Sequence, residues 1–339
     1  MTMTIRSLAG LTALALTFAL PGRARAQETK VSGLFFGDYF AAVSHHDGDV
    51  QDANGFWARR VYLTFDRKID SSWDVRLRFE AHSPGDFTSK SKMDPFLKDL
   101  WIRWKNGRHS IVMGVSPSPS WDVPEHVWGY RDLEKTPMDL FKMGSSRDFG
   151  IAFKGAFGED GKVQYHMMLA NGAGEKAETD QGKKYMGALI FHPVRSVTLH
   201  VYADHEDRKG SADRSSYELF GAVQGVRGRV GAMWARQDRN QPDAADLSID
   251  VVYGFAVLNA ARKVNLVVRV DRLLDPLPDA AGISYFKMDP SSKATFFVGG
   301  LDIELNRNVR LIPNVEFVTY DAAGIDTDVF LKTTVSVKF

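Results

Sequence analysis

From Lys30 onward, apolar and polar residues alternate along nearly every segment of the chain, the period of a strand with two unlike faces. The clearest run places Trp73, Val75, Leu77, Phe79 and Ala81 on one face and Asp74, Arg76, Arg78, Glu80 and His82 on the other. Val61, Leu63 and Phe65 oppose Arg60, Tyr62, Thr64 and Asp66. Leu100, Ile102 and Trp104 oppose Asp99, Trp101, Arg103 and Lys105. Phe149, Ile151, Phe153 and Phe157 face away from Asp148 and Lys154, and Val264, Leu266, Val268 and Val270 away from Asn265, Arg269 and Asp271. The pattern predicts sixteen strands, over 30–45, 55–68, 71–82, 95–106, 109–116, 147–158, 161–170, 183–193, 196–206, 215–226, 228–238, 246–259, 263–274, 293–305, 308–320 and 328–339. Most have about ten residues or more, enough for a tilted strand to cross a bilayer. Strands of soluble sandwiches have about five or six. The number is even, as in single-chain bacterial barrels.

The links between these segments alternate in length. Tight links occur at Ile69-Asp70, Asn106-Gly107-Arg108, Gly158 to Gly161, Pro193-Val194-Arg195, Arg227-Gly228 and Asn306-Arg307. The others are long and polar: 46–54, 83–94, 117–146, 171–182, 207–214, 239–245, 275–292 and 321–327. Short turns at one membrane face and longer loops at the other produce this alternation; a soluble sandwich has no reason to show it. In that register Phe65, Trp73, Trp104, Phe157, Phe191 and Phe339 lie outward near the short-turn end, as an interfacial aromatic girdle requires. The fold expected is all-β: a closed transmembrane antiparallel barrel contacting outer-membrane lipid.

Composition refines this picture. Residues 1–26 read as a secretory leader: Arg6, an apolar stretch from Leu8 to Leu20, then Ala24-Arg25-Ala26 before Gln27. Residues 27–339 are then the exported barrel, bound through the periplasm for the bacterial outer membrane. Removing the leader's three arginines from 43 basic residues leaves 40 against 42 acidic ones, a net charge near −2. No basic stripe points to nucleic acid. Cysteine is absent, which excludes a thiolate metal site or a cysteine nucleophile. No apolar run after residue 26 is long enough for a transmembrane helix.

Candidate chemistry lies on the inward faces and in one long loop. Alternation directs Arg60, Arg76, Arg78, Arg103 and Lys154 inward from the second, third, fourth and sixth strands. The longest link, 117–146, carries Asp122, Glu125, Asp132, Glu134 and Asp139 beside Trp121, Trp128, Tyr130 and Arg131. Local pairing of lumen charges, Asp74 with Arg76 or Asp99 with Arg103, is the competing arrangement. Asp302, Glu304 and Glu316 dilute any uniformly basic interior, and no dense inward ladder of Arg and Lys is evident.

Short motifs connect the chain to a known family. The run Gly55-Phe56-Trp57-Ala58-Arg59-Arg60-Val61-Tyr62-Leu63 resembles an early strand of the phosphate-selective porin O/P family. Lys98-Asp99-Leu100-Trp101-Ile102-Arg103-Trp104 and Ile111-Val112-Met113-Gly114 are similar to its next hairpin. Ser146-Arg147-Asp148-Phe149-Gly150 and Arg269-Val270-Asp271 add weaker matches. The resemblance implies a sixteen-stranded, homotrimeric porin whose third external loop, here 117–146, folds inward and narrows the lumen. It does not carry over phosphate, since members differ in solute. The ending Val335-Ser336-Val337-Lys338-Phe339 resembles the terminal strand read by the outer-membrane assembly machinery.

The function expected is a water-filled channel for passive diffusion of small polar or ionic solutes; the partners expected are small polar or anionic solutes, with no preference between anions and cations legible. The basic residues Arg60, Arg76, Arg78, Arg103 and Lys154 would face the acidic loop across a constriction. No enzyme activity, cofactor or metal is expected. His45-His46 with Asp47 and Asp49, and His205 with Asp204, Glu206 and Asp207, read as solvated polar runs near external loops. No Gly-x-Ser-x-Gly elbow is present. The alternatives are an outer-membrane barrel enzyme and an adhesive barrel using loops such as 275–292.

Overall fold

The computed structural model describes residues 28–339, so the leader expected over 1–26 lies outside the described residues. Sixteen strands form one closed sheet. They are β1 Lys30–Ser44, β2 Asn54–Lys68, β3 Trp73–Ala81, β4 Phe96–Asn106, β5 His109–Pro117, β6 Arg147–Phe157, β7 Val163–Ala170 and β8 Lys184–Phe191. Then follow β9 Val197–Glu206, β10 Arg214–Gly225, β11 Gly228–Arg239, β12 Leu247–Ala261, β13 Val264–Leu273, β14 Ala294–Asn306, β15 Val309–Tyr320 and β16 Asp328–Lys338. Each pairs antiparallel with its chain neighbours, and β1 pairs with β16 from Leu34↔Lys338 to Ser44↔Val329. Closure leaves no sheet edge, which a backbone immersed in hydrocarbon requires.

Strand number and order agree with the alternation pattern, and the ends differ by at most a few residues. β3 starts at Trp73 rather than 71 because Asp70 caps the turn, accepting from Ser72 N at 2.7 Å and Trp73 N at 2.9 Å. β12 runs on to Ala261 through a register shift at Asn259/Ala261.

The outer face is apolar, with Leu63, Trp73, Phe79, Leu100, Met113, Phe149, Leu189 and Leu219 exposed on it. The inner face mixes charged and apolar side chains. On β2, β3, β4 and β6 it bears charge, as alternation predicts, while the inward residues of β5 are uncharged. On β7 to β16 many inward side chains are apolar and buried, among them Met168, Met186, Phe220, Met233, Tyr253, Phe255 and Phe296, interspersed with buried ion pairs such as Arg269–Asp271 and Lys332–Glu316. The hydrophobic core therefore lies inside the barrel, against that wall. It is completed by the 118–146 segment, through Trp128, Leu133, Met138, Leu140 and Phe141, all buried. A second segment, 274–293, also turns inward: Tyr285 and Phe286 are buried, and Phe286 stacks on Phe296 at 4.8 Å. The sequence placed 275–292 outside as a possible binding loop; its row of apolar residues instead fills the barrel mouth.

Candidate functional site: the folded-in loop and the charged wall

The 118–146 segment begins with a helix, α1 Pro119–Trp128, and continues through a single turn, α2 Pro137–Leu140. Each has proline at its first position, where the fixed φ suits a helix start and no N–H is needed. Gly129 ends α1 in the left-handed region, φ 72°, and donates its N–H to Glu125 O at 2.9 Å. The Trp128 indole then donates to Glu134 O at 2.7 Å, folding the chain back on itself.

The loop spans the lumen and is tied to walls on opposite sides. Lys154 of β6 donates to Asp122 at 2.8 Å. Gln237 of β11 donates to Met143 O at 2.6 Å, and Arg269 of β13 to Lys135 O at 2.5 Å. Tyr130 donates to Asp302 of β14 at 2.8 Å, and Arg310 of β15 pairs with Asp132. Across the barrel, Arg59 of β2 donates to Leu133 O at 2.6 Å and Glu134 Oε2 at 2.8 Å. Burial alone would raise the Asp122 carboxyl, but the Lys154 ammonium outweighs it and holds the group at about 2.

Of the ten residues expected to face one another, only Lys154 and Asp122 meet directly. The wall arginines pair with carboxylates on adjacent strands: Arg60 with Glu80 at 2.8 Å, Arg76 with Asp66 at 2.7 Å, Arg78 with Asp99 at 3.1 Å and Arg103 with Asp74 at 2.8 Å. Local pairing thus occurs, but with different partners from those expected along one strand. Arg76↔Asp66, Arg78↔Asp99 and Arg103↔Asp74 are directly opposed in the ladder, where side chains approach more closely than at i, i+2. Among the loop acids, Glu125 and Asp139 hold Arg131 of the same loop at 3.2 and 2.9 Å. Asp132 and Glu134 take Arg310 and Arg59, neither of which the sequence singled out.

Arg59 was missed because alternation turns it outward. A bulge between Phe36 and Gly37 of β1 pairs Phe36 with Arg60 and Gly37 with Ala58, so Arg59 is the extra residue and both arginines are buried. A second bulge, at Arg78/Phe79 against β4, does the same for Lys98 beside Asp99. Lys98 contacts Glu175 at 2.5 Å and Glu80 at 3.4 Å. Arg147, at the loop's exit, binds Asp99 at 2.5 Å and stacks over Trp121 at 4.1 Å. The inner wall is consequently more basic than simple alternation indicates.

Among the described residues, open spaces remain along the inner wall. An outer vestibule of about 310 Å³ is lined by Lys135, Lys142, Lys184, Arg208 and Arg214 against Asp139, Asp148 and Glu206. A middle chamber of about 230 Å³ has Arg78, Lys98, Arg131 and Arg147 with Trp121, Tyr62 and Thr64, and no carboxylate in its lining. An inner chamber of about 510 Å³ is lined by Lys30, Arg67, Lys68, Arg76, Arg103 and Lys105 against Glu28, Asp66 and Asp74. Trp121 and Arg147 line the middle chamber, and their chain neighbours Ser120 and Asp148 line the vestibule.

No protein-family model matches the chain, and no characterised protein sequence matches it. Solved structures do. The anion-selective porin from Comamonas acidovorans superposes with a TM-score of 0.69 at 10% identity, over 92% of this chain and 100% of that one. The outer membrane channel DcaP of Acinetobacter baumannii gives 0.67 at 9%, over 93% and 98%. Salmonella typhi OmpF, in complex with daunomycin, gives 0.66 at 11%, over 92% and 98%. These likenesses establish the porin-type barrel fold.

Proposed function

We propose that this chain is an outer-membrane porin admitting small anions by passive diffusion. One observation carries the reading: cations outnumber carboxylates around each of the three lumen spaces, although the whole chain is nearly neutral. A field concentrated between low-dielectric walls enriches the counter-ion and lowers the barrier to its passage. Loop acids and wall arginines are both ion-paired, so the sign of the field follows from the excess of cations around the spaces. The porin from Comamonas acidovorans, whose fold this chain shares, is itself named anion-selective.

In this reading Arg76, Arg78 and Arg103 form the solvated basic track, joined by Arg131 and Arg147. Arg60 and Lys154 hold the mouth and the loop in place. Asp122, Asp132 and Glu134 anchor the loop to the wall, while Glu125 and Asp139 orient Arg131. The resemblance to the phosphate-selective porin O/P family supports the anion class without selecting phosphate. A leader over 1–26, recognition of Phe339 by the assembly machinery and a homotrimeric assembly complete the proposal. Reversal potentials of the refolded protein in a salt gradient test it: an anion preference is expected, and a cation preference would refute it.

A further inference from the structure

We propose that His45, His46 and Asp328 bind one divalent ion of the zinc class at the outer mouth of the barrel. The two histidines follow β1 directly, and Asp328 opens β16, 282 positions later than His46. His46 Nδ1 lies 2.8 and 2.9 Å from the two Asp328 oxygens, and His45 Nδ1 lies 3.8 Å from Oδ1. One donor atom from each residue falls within 4.8 Å of the others. Ligands held at 2.0–2.1 Å around a tetrahedral ion stand roughly 3.3 Å apart, inside the range already spanned here.

The surroundings suit a metal better than an open ion pair. The His45 and Asp328 side chains are fully buried and His46 is 13% exposed, so two imidazoles and a carboxylate converge in a nearly dry recess. The outer layer is also in place. Tyr320 donates its hydroxyl to Asp328 Oδ2 at 2.5 Å, orienting the carboxylate as metal-site partners commonly do. His46 Nδ1 now shares a proton with the Asp328 carboxylate, and His45 Nδ1 accepts the Asp47 N–H at 2.9 Å; ion binding displaces both hydrogen bonds and releases the His46 Nδ1 proton to solvent. Two nitrogens and one oxygen fit Zn²⁺ or a neighbouring first-row ion, and poorly fit Ca²⁺ or Mg²⁺, which seek all-oxygen sets. Three protein ligands leave a fourth position for water.

The site would clamp the seam of the barrel. Just below it, the β1/β16 ladder shifts register between Ala42 and Ser44, so the seam's outer end is its least regular part. An ion there ties the first external loop to the closing strand. This inference does not depend on what the channel conducts.

The test uses the full-length folded barrel, stripped with chelator and titrated with ZnCl₂ by calorimetry. One ion per chain is expected. His46→Gln, in the loop, should weaken binding at least tenfold, and Asp328→Asn should abolish it. Tyr320→Phe, which keeps all three ligands, should weaken it by about 10- to 100-fold. His205→Ala should leave it unchanged, because that histidine belongs to a separate exposed group with Asp207 and Asp213. Co²⁺ supplies a reading that needs no variant: intense visible bands mark a four-coordinate ion. Absence of one-to-one binding, pale octahedral Co²⁺ bands, undiminished affinity in His46→Gln, or loss in His205→Ala would each overturn the assignment.

Discussion

Arg59 and Glu134 stand 75 positions apart in the chain, yet the guanidinium donates to the carboxylate at 2.8 Å with both side chains buried. The contact exists because a bulge in β2 turns an outward arginine inward, at the height reached by the folded-in loop. Asp38 of β1 flanks the same guanidinium at 3.4 Å. The pair joins the β2 wall to a loop whose other fixings lie mostly across the lumen.

Removing one member of such a buried pair leaves the other uncompensated, typically costing about 3–5 kcal/mol. Glu134→Ala should therefore loosen the loop without opening the barrel. We expect noisier open-channel currents and faster trypsin cleavage near Arg131 and Lys135, with heat-modifiable migration on gels unchanged. Quiet currents at wild-type amplitude would show that the remaining contacts suffice.

Arg76 and Arg78 border the inner and middle chambers. Changing both to Ala strips two cations from the track and leaves Asp66 and Asp99 behind. The reversal potential in a salt gradient should move toward cation preference. An unmoved potential would take these residues out of the selectivity path.

Trp121 and Arg147 stack at 4.1 Å in the lining of the middle chamber. Trp121→Ala widens the middle chamber while retaining the charge, so single-channel conductance should rise with little change in ion preference. Unaltered conductance would place the narrowest point elsewhere.

The Asp122–Lys154 pair sets an acid limit. Its folded carboxyl is held at about 2, below the ordinary value of 3.8, so its stabilisation is complete above pH 3.8 and fades as pH falls toward 2. Closures caused by release of this pair should be absent from neutral pH down to about 4 and increase below that. Lys154→Met should produce those closures already at neutral pH. Acid closures at unchanged pH in that variant would exclude the pair as their cause.

Much of the fold is legible in the sequence, because a two-residue period is imposed on every strand by lipid outside and a different medium inside. Strand number, link alternation and the outward placement of Trp73, Trp104 and Phe157 all follow from it. The site is less legible. A bulge adds one residue and breaks the period locally, which hid Arg59 and Lys98. Cross-strand partners depend on register, so Asp74 was set beside Arg76 rather than Arg103. The inward turn of 274–293 was signalled only by its apolar residues, Leu277, Ile283, Tyr285 and Phe286. The approach of Asp328 to His45 and His46 required closure of the barrel, which joins the two ends of the chain.

We propose an open, anion-preferring passage along the basic wall of β2, β3, β4 and β6. Single-channel recording of the refolded protein, with reversal potential in a salt gradient, tests it most directly. Discrete steps appearing in threes, with anions preferred, are the predicted result. A folded barrel that never conducts, or one that prefers cations, would contradict it.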